Sequence, residues 1–178
     1  MKKLPEHGVL IHINGMGIYL IGDSGVGKSE IALQLIHQGA ALICDDAPEL
    51  TADNNKILGA CPDGFYGLMH IHDLGIINLL ELIGEQAFIR GHSIDLVIEL
   101  IAAKHQQAII RQQNSQQLLI TANYQKWHYQ SCSVSGIGIH LYPNRNIPII
   151  INTAIKQFFQ VKDKTGCSGE SSNEITNR

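Results

Sequence analysis

Residues 22–29, Gly-Asp-Ser-Gly-Val-Gly-Lys-Ser, constrain this chain most, because they match the phosphate-loop pattern G-x-x-x-x-G-K-[ST] at every position. Glycines have no Cβ, so such a loop can turn its amide N–H groups toward a polyphosphate. Lys28 is placed to neutralise the β- and γ-phosphates, and the Ser29 hydroxyl is placed to bind a magnesium ion. The predicted nucleotide-binding residues are therefore Gly22, Asp23, Ser24, Gly25, Val26, Gly27, Lys28 and Ser29.

The segments on either side of the loop supply the context that it needs. An apolar run at residues 18–21 predicts a buried strand before it. After it, apolar residues at helical spacing predict a helix that ends near Gly39. A second apolar run, residues 40–44, ends in Asp45 and Asp46, two carboxylates at the C-terminal end of a strand, where open α/β sheets bind ligands. This strand–helix–strand context argues against a chance glycine-rich turn.

Composition sets the class of protein. The 178 residues most simply form one domain, with 44% hydrophobic and 16% charged residues. A net charge of −3 predicts no nucleic-acid or membrane partner, and the sequence has neither a run of 18 apolar residues nor a signal-peptide stretch. The four cysteines are spread without a C-x-x-C pair, so we expect reduced thiols in a cytoplasmic protein.

Three histidines outside the phosphate loop are candidate functional residues. His7 begins a predicted strand that ends at the Asn14-Gly15 hairpin signal, so it lies at the outer end of a strand that pairs with the one feeding the loop. His70 and His72 alternate with apolar residues and would face the same side of a strand, a spacing that suits a transition metal. Ordinary solvent-facing histidines are the alternative at all three positions.

The rest of the chain predicts further strands and a polar end. We expect strands near residues 57–61, 94–101 and 118–121, and a loop with a short strand at 104–117. A helix is predicted at residues 153–159. Residues 162–178 are polar and are predicted to be a disordered tail, which leaves a catalytic domain at residues 1–161.

Four blocks of residues resemble the catalytic domain of HPr kinase/phosphorylase. They are His7-Gly-Val-Leu, residues 22–30, Asp45-Asp46, and Leu74-Gly-Ile-Ile. The resemblance covers roughly residues 5 to 160 and is similar to a short form found in some Gram-negative bacteria. It implies an α/β fold, a phosphate-loop-containing mixed β-sheet domain similar to the HPr kinase C-terminal and phosphoenolpyruvate carboxykinase-like nucleotide-binding fold.

The resemblance also implies an activity and partners. A member of this family would be a cytoplasmic, ATP-dependent protein-serine kinase that uses ATP and Mg²⁺. Its substrate would be the phosphocarrier HPr or its nitrogen-branch relative, and it would also remove that phosphate by phosphorolysis. Members are commonly homo-oligomers, in particular hexamers. No nucleic acid or membrane partner is expected.

The site residues follow from matching positions. His7, Lys28, Asp46 and Arg111 match catalytic residues, and Ser29 and His70 match the metal-binding positions. A carboxylate at position 46 can accept the serine proton and, once protonated, return it in the reverse reaction. We expect Asp45 to raise the pKa of Asp46 by like-charge repulsion, and Arg111 to offset charge on the transferring phosphoryl group.

The chain departs from the family pattern at several positions. A magnesium-binding glutamate, an arginine and a glycine are replaced by His70, His72 and Asp73. Histidine is a poor ligand for magnesium, and Asp73 would replace the glutamate only after a backbone shift. Tyr142 lies in the stretch associated with phosphorylase activity, where the family has a lysine, and the C-terminal helix is predicted to be shorter. Two alternatives therefore stay open: a catalytically impaired nucleotide-binding regulatory module of the phosphotransferase system, and a kinase of a small metabolite.

Overall fold

The computed structural model describes residues 2–102 and 124–166. Its strands are β1 Lys2–Lys3, β2 Val9–Ile13, β3 Met16–Gly22, β4 Ala41–Cys44, β5 Glu49–Asp53, β6 Lys56–Ala60, β7 Leu68–Ile71, β8 Gly75–Asn78, β9 Gly91–Ala102, β10 Gln125–Tyr129 and β11 Cys132–Leu141. The helices are α1 Lys28–His37, α2 Leu79–Leu82 and α3 Ile147–Gly166, with a 3-10 helix at Glu85–Ala87. The chain divides into two compact units, Met1–Arg145 and Asn146–Arg178.

The main sheet of the first unit is mixed, with strand order β1-β10-β11-β9-β3-β2-β4. Strands β3, β9 and β11 run parallel, whereas β2 lies antiparallel between β3 and β4. Strands β3 and β4 therefore run in the same direction, and their C-terminal ends meet the N-terminal end of β2 at one edge. The expected mixed α/β fold is confirmed, and this edge brings three separate chain segments together.

The central strands are buried on both faces, which explains why they appear in the sequence as continuous apolar runs. Residues 18–21 of β3 are all at most 1% exposed. Tyr19 packs in one core cluster with Leu10, Ile43 and Val97, and its hydroxyl donates a hydrogen bond to the carbonyl of Pro5 at 3.2 Å. Helix α1 packs on the sheet through its predicted apolar stripe, Ile31, Ala32, Leu35 and Ile36, all of them buried.

The turns of the β2–β3 and β5–β6 hairpins contain left-handed residues. The predicted turn between β2 and β3 has Asn14 at φ 50° and Gly15 at φ 81°, as a two-residue hairpin requires. The second turn, Asn54-Asn55, joins β5 to β6, and only β6 was predicted as a strand. Strand β5 was missed because its residues are exposed or half-buried and carry little apolar signal.

The second unit contains a longer helix than the sequence predicted. Helix α3 begins at Ile147 and continues through Gly166, so the predictions of a short helix and of disorder from residue 162 were wrong over that range. The run after Asn146 resembles a strand in sequence, but a proline at the second helical position is tolerated because its missing N–H has no helical partner there. The Asn146 side chain accepts a hydrogen bond from the Ile149 amide at 3.2 Å.

Some predictions fall outside the described residues. They are Arg111, the loop at 104–117, the strand at 118–121 and the last twelve tail residues, 167–178. Cys44, Cys61 and Cys132 are buried free thiols. Neither stretch that the structure describes contains a helix long and apolar enough to cross a membrane.

Candidate active site

The phosphate loop joins the end of β3 to the start of α1, as its pattern predicts. The Val26 amide donates to the carbonyl of Asp23 at 3.2 Å, which closes a turn inside the loop. Gly27 is the residue before the helix and has φ 91°, a left-handed conformation that residues with a Cβ rarely adopt. The Lys28 ammonium donates to the carbonyls of Gly22 and Asp23 at 3.1 and 3.2 Å, so it lies over the loop.

The loop and the first turn of α1 form one wall of a cavity of about 420 Å³. That volume is in the range of small-molecule binding sites. The helix N-terminus faces it with unpaired amides and a favourable dipole for anions. The lining side chains come from the loop and helix, from the end of β4 and from β7 and its turn: Ser24, Lys28, Ser29, Glu30, Asp45, Asp46, His70 and His72.

Asp45 connects three parts of this site. Its Oδ1 accepts a hydrogen bond from the Ser29 hydroxyl at 2.8 Å, and its Oδ2 accepts one from the His70 amide at 2.8 Å. Because Ser29 is on α1, Asp45 follows β4 and His70 is on β7, this carboxylate holds the helix start, the end of the sheet and the β7–β8 hairpin in register. The sequence did not indicate this role.

Burial is the main reason why the pKa of Asp45 is raised above its usual value of 3.8. The hydrogen bonds from His70 and Ser29 oppose that shift, while the charge of Asp46 adds to it and the imidazole of His70 reduces it. Like-charge repulsion from Asp46 thus contributes to the raised pKa of Asp45, but less than burial does.

Asp46 is the exposed member of the pair and lies in the left-handed region at φ 69°. Its main-chain carbonyl accepts a hydrogen bond from the Gly8 amide at 2.8 Å. Within residues 2–102 and 124–166, no side chain donates a hydrogen bond to its carboxylate. The carboxylate therefore lines the cavity and is available to accept a proton.

His7 lies next to Gly8 in the segment that contacts Asp46. Its side chain is exposed, and it is not among the residues that line the phosphate cavity. The structure therefore brings its segment to the correct edge of the sheet, while its catalytic role stays a prediction.

His70 and His72 both line the same cavity as the phosphate loop. Asp73 does not line that cavity, so the structure gives no support to its use as a replacement ligand. In the two described stretches of the chain, no three His, Cys, Asp or Glu side chains are grouped so that they could hold a metal ion.

A second cavity, of about 250 Å³, lies beside the first and was not predicted. It shares Asp45, Asp46 and His70 with the phosphate cavity, and most of its remaining wall is apolar. The only hint in the sequence was Phe65, a large apolar residue in a turn-rich stretch that begins at Pro62.

Tyr142 lies at the end of the first unit, after β11. Its ring stacks on the ring of His140, with 5.9 Å between the two centroids. The Arg145 guanidinium also contacts the Tyr142 ring, 5.7 Å from the ring centroid. Arg145 also donates to the carbonyl of His140 at 3.2 Å. None of these three residues lines the phosphate cavity.

Comparisons with known proteins agree with this architecture. The model of a family described as HPr Serine kinase C-terminal domain matches residues 1–177. The chain is 35% identical to the HPr kinase/phosphorylase of Bacillus cytotoxicus, over 85% of this chain and 47% of that protein. It is also 35% identical to the one of Lactobacillus acidophilus, over 99% of this chain and 52% of that protein. The chain thus spans about half the length of the curated relatives it matches.

A solved structure of similar size is also related. The HPr(Ser) kinase/phosphatase from Coxiella burnetii is 28% identical, with a TM-score of 0.79 over 93% of this chain and 98% of that one.

Proposed function

The chain belongs to the HPr serine kinase C-terminal domain family, and from this premise we propose that it transfers the γ-phosphoryl group of ATP to a serine hydroxyl of HPr or its nitrogen-branch relative. One observation carries the proposal. Lys28 and Ser29 of the phosphate loop and the carboxylate of Asp46 line the same cavity at one edge of the sheet. A phosphate-binding surface and an available base are the two parts that phosphoryl transfer requires.

The steps follow from these residues. Loop amides and the Lys28 ammonium hold the β- and γ-phosphates and offset their charge. The substrate serine gives its proton to Asp46 while its oxygen bonds to the γ-phosphorus. The bond from that phosphorus to the bridging oxygen breaks, and ADP leaves with the electron pair. In the separate phosphorolysis reaction, an oxygen of inorganic phosphate would bond to the phosphorus of phosphoserine to give pyrophosphate, the bond from that phosphorus to the serine oxygen would break, and protonated Asp46 would give its proton to the departing serine oxygen.

Asp45 acts in this scheme as a positioning residue. Its carboxylate accepts hydrogen bonds from the Ser29 hydroxyl and from the His70 amide, so it fixes the start of α1 relative to β7. Reaction rates depend steeply on such placement, since a displacement of about 1 Å can cost on the order of 100-fold in rate.

The donor set fits magnesium only in part. Ser29, Asp45 and Asp46 supply the oxygen ligands that Mg²⁺ prefers, and they would hold the ion together with phosphate oxygens. A bound Mg²⁺ would neutralise charge that develops on the phosphates. The His70 imidazole does not suit this ion, so we propose that His70 lines the metal site but is not a strong magnesium ligand.

The residues that line the phosphate cavity are also compatible with a second function. Since His70 and His72 line the cavity where the family has other residues, a regulatory module that binds nucleotide but transfers phosphate slowly would have this same cavity. For the kinase we propose a cytoplasmic location, where ATP and phosphocarriers are found, and a hexameric assembly, which sedimentation of the purified protein would test.

Incubation with radiolabelled ATP and either HPr or its nitrogen-branch relative tests the proposal. We expect label on a carrier serine, and loss of that label in the Asp46→Asn variant with ATP binding retained. ATP binding without transfer would favour the regulatory module. Transfer to a metabolite alone would favour the small-molecule kinase.

A further inference from the structure

The smaller cavity beside the aspartates lies on the side from which a phosphate acceptor must approach. It is walled by apolar side chains that include Pro62, Phe65, Leu68, Met69 and Ile76, and it is here called the acceptor pocket. We propose that the acceptor pocket receives an apolar side chain of the protein substrate, from a position within about three residues of the phosphorylated serine. This inference rests on the proposed function, because it identifies the acceptor of that same reaction.

Continuity with the phosphate cavity is the first support. Asp45, Asp46 and His70 line both spaces, so the two cavities open on the same pair of carboxylates. The phosphate loop lines only the larger cavity, which assigns the nucleotide phosphates to that side. A serine that reaches Asp46 must therefore approach from the other side, where its neighbouring side chains pass over the acceptor pocket.

The rim of the acceptor pocket is unusually apolar for a surface. Phe65 is 61% exposed and Ile76 is 71% exposed, although large apolar side chains are normally covered. Both are held by hydrogen-bonded structure. The Phe65 amide donates to the carbonyl of Pro62 at 3.2 Å after the left-handed Gly64, and Ile76 pairs with His70 across the β7–β8 hairpin. A preformed apolar rim binds a partner side chain at low entropic cost.

The chemistry of this wall selects between acceptor classes. Away from Asp45, Asp46 and His70, a sugar or nucleoside would bring hydroxyl groups against apolar side chains that offer no hydrogen bonds, and unpaired polar groups are costly to bury. An apolar side chain gains free energy in the same place because it leaves water. The acceptor pocket therefore favours a protein segment, and the specificity-determining residues would be Phe65 and Ile76.

Steady-state kinetics with HPr as the acceptor test this directly. Phe65→Ser and Ile76→Ser should each raise the KM for HPr roughly 10-fold, because each removes apolar surface that the substrate covers. The dissociation constant for ATP should stay the same. Leu74→Ser is the matched control, since Leu74 is 68% exposed on the turn of the same hairpin but does not line the acceptor pocket.

Variants of HPr complete the experiment. Each apolar residue within three positions of the phosphorylated serine is replaced by Ala. At the position whose side chain binds the acceptor pocket, the Ala substitution should raise KM with the unsubstituted kinase but should have no effect on KM with the Phe65→Ser variant. If Phe65→Ser and Ile76→Ser behave like Leu74→Ser, the inference is overturned while the kinase stands. If they change the sedimentation of the protein, the rim is a contact between copies and the inference fails. Absence of transfer by the unsubstituted protein would instead overturn the proposed function.

Discussion

The amide of Gly8 donates a hydrogen bond of 2.8 Å to the main-chain carbonyl of Asp46. This hydrogen bond joins the segment before β2 to the segment after β4, and so it places His7 near the edge that carries the aspartates. The contact needs a glycine, because a Cβ at position 8 would lie 2.7 Å from the Leu20 carbonyl oxygen and from the Tyr19 ring.

Gly8→Ala should therefore destabilise the protein. Overpacking of this kind costs about 1–3 kcal/mol in the free energy of unfolding. Urea unfolding followed by circular dichroism measures it, and Thr51→Ala on the exposed strand β5 is the control, with an expected change within about 0.5 kcal/mol. An equal free energy of unfolding for the two variants would show that the segment around Gly8 shifts to accommodate the Cβ without loss of stability.

Replacement of the base tests the role of Asp46. Asp46→Asn should lower kcat for transfer to HPr by about 10²–10⁴-fold, the usual contribution of a general base. Its affinity for ATP, measured without Mg²⁺, should change little, because the loop amides and Lys28 are untouched. Transfer at the unsubstituted rate would remove Asp46 from the mechanism.

Removal of the loop cation should weaken nucleotide binding, which Asp46→Asn leaves nearly unchanged. Lys28→Met loses charge-assisted contacts to phosphate, so we expect ATP binding to weaken by about 10- to 150-fold, which corresponds to about 1.5–3 kcal/mol. Isothermal titration calorimetry measures the dissociation constant. Lys56→Met, at the exposed start of β6, is the matched control and should bind ATP like the unsubstituted protein.

The raised pKa of Asp45 predicts a pH-dependent stability. Since burial raises this pKa above 3.8, the folded protein retains a proton that the unfolded chain releases. The stability linked to that proton is fully present below pH 3.8 and is lost as the pH rises through the folded-state pKa.

Asp45→Asn has no such ionisation, so it isolates this effect. Urea unfolding of both proteins between about pH 4 and pH 7 should show the unsubstituted protein losing stability relative to the variant as the pH rises. A difference that is constant across this range, or that changes in the other direction, would contradict the raised pKa.

The position of His70 predicts weak magnesium binding. His70→Glu adds a carboxylate to the cavity wall, so Mg²⁺ affinity in the presence of an ATP analogue should rise by roughly 10-fold or more. Magnesium-dependent turnover should rise with it. His37→Glu, exposed at the end of α1, is the control. Unchanged affinity in His70→Glu would show that residue 70 does not contact the ion.

Sequence reasoning succeeded where the signal is carried by consecutive residues. The loop, the stripe of α1 and the hairpin at Asn14 are each specified within a few positions, and the structure has all three. It failed at β5, whose side chains are too polar to indicate a strand, and at the start of α3, where Pro148 and the isoleucines after it resemble a strand. Local composition does not distinguish those cases, since packing decides them.

The sequence by itself determined the phosphate loop, because such a loop is built from the main-chain amides of adjacent residues. Only the tertiary structure decided which carboxylate is hydrogen-bonded to Ser29 and His70 and which one is exposed. Ser29 bonds to Asp45 across 16 positions, and His70 bonds to it across 25. Ser29 and Asp45 meet because the C-terminal ends of β3 and β4 lie at one edge of the main sheet with β2 between them, whereas His70 reaches Asp45 from the separate β7–β8 hairpin. Strand order and the placement of that hairpin are properties of the packed structure that no local segment encodes.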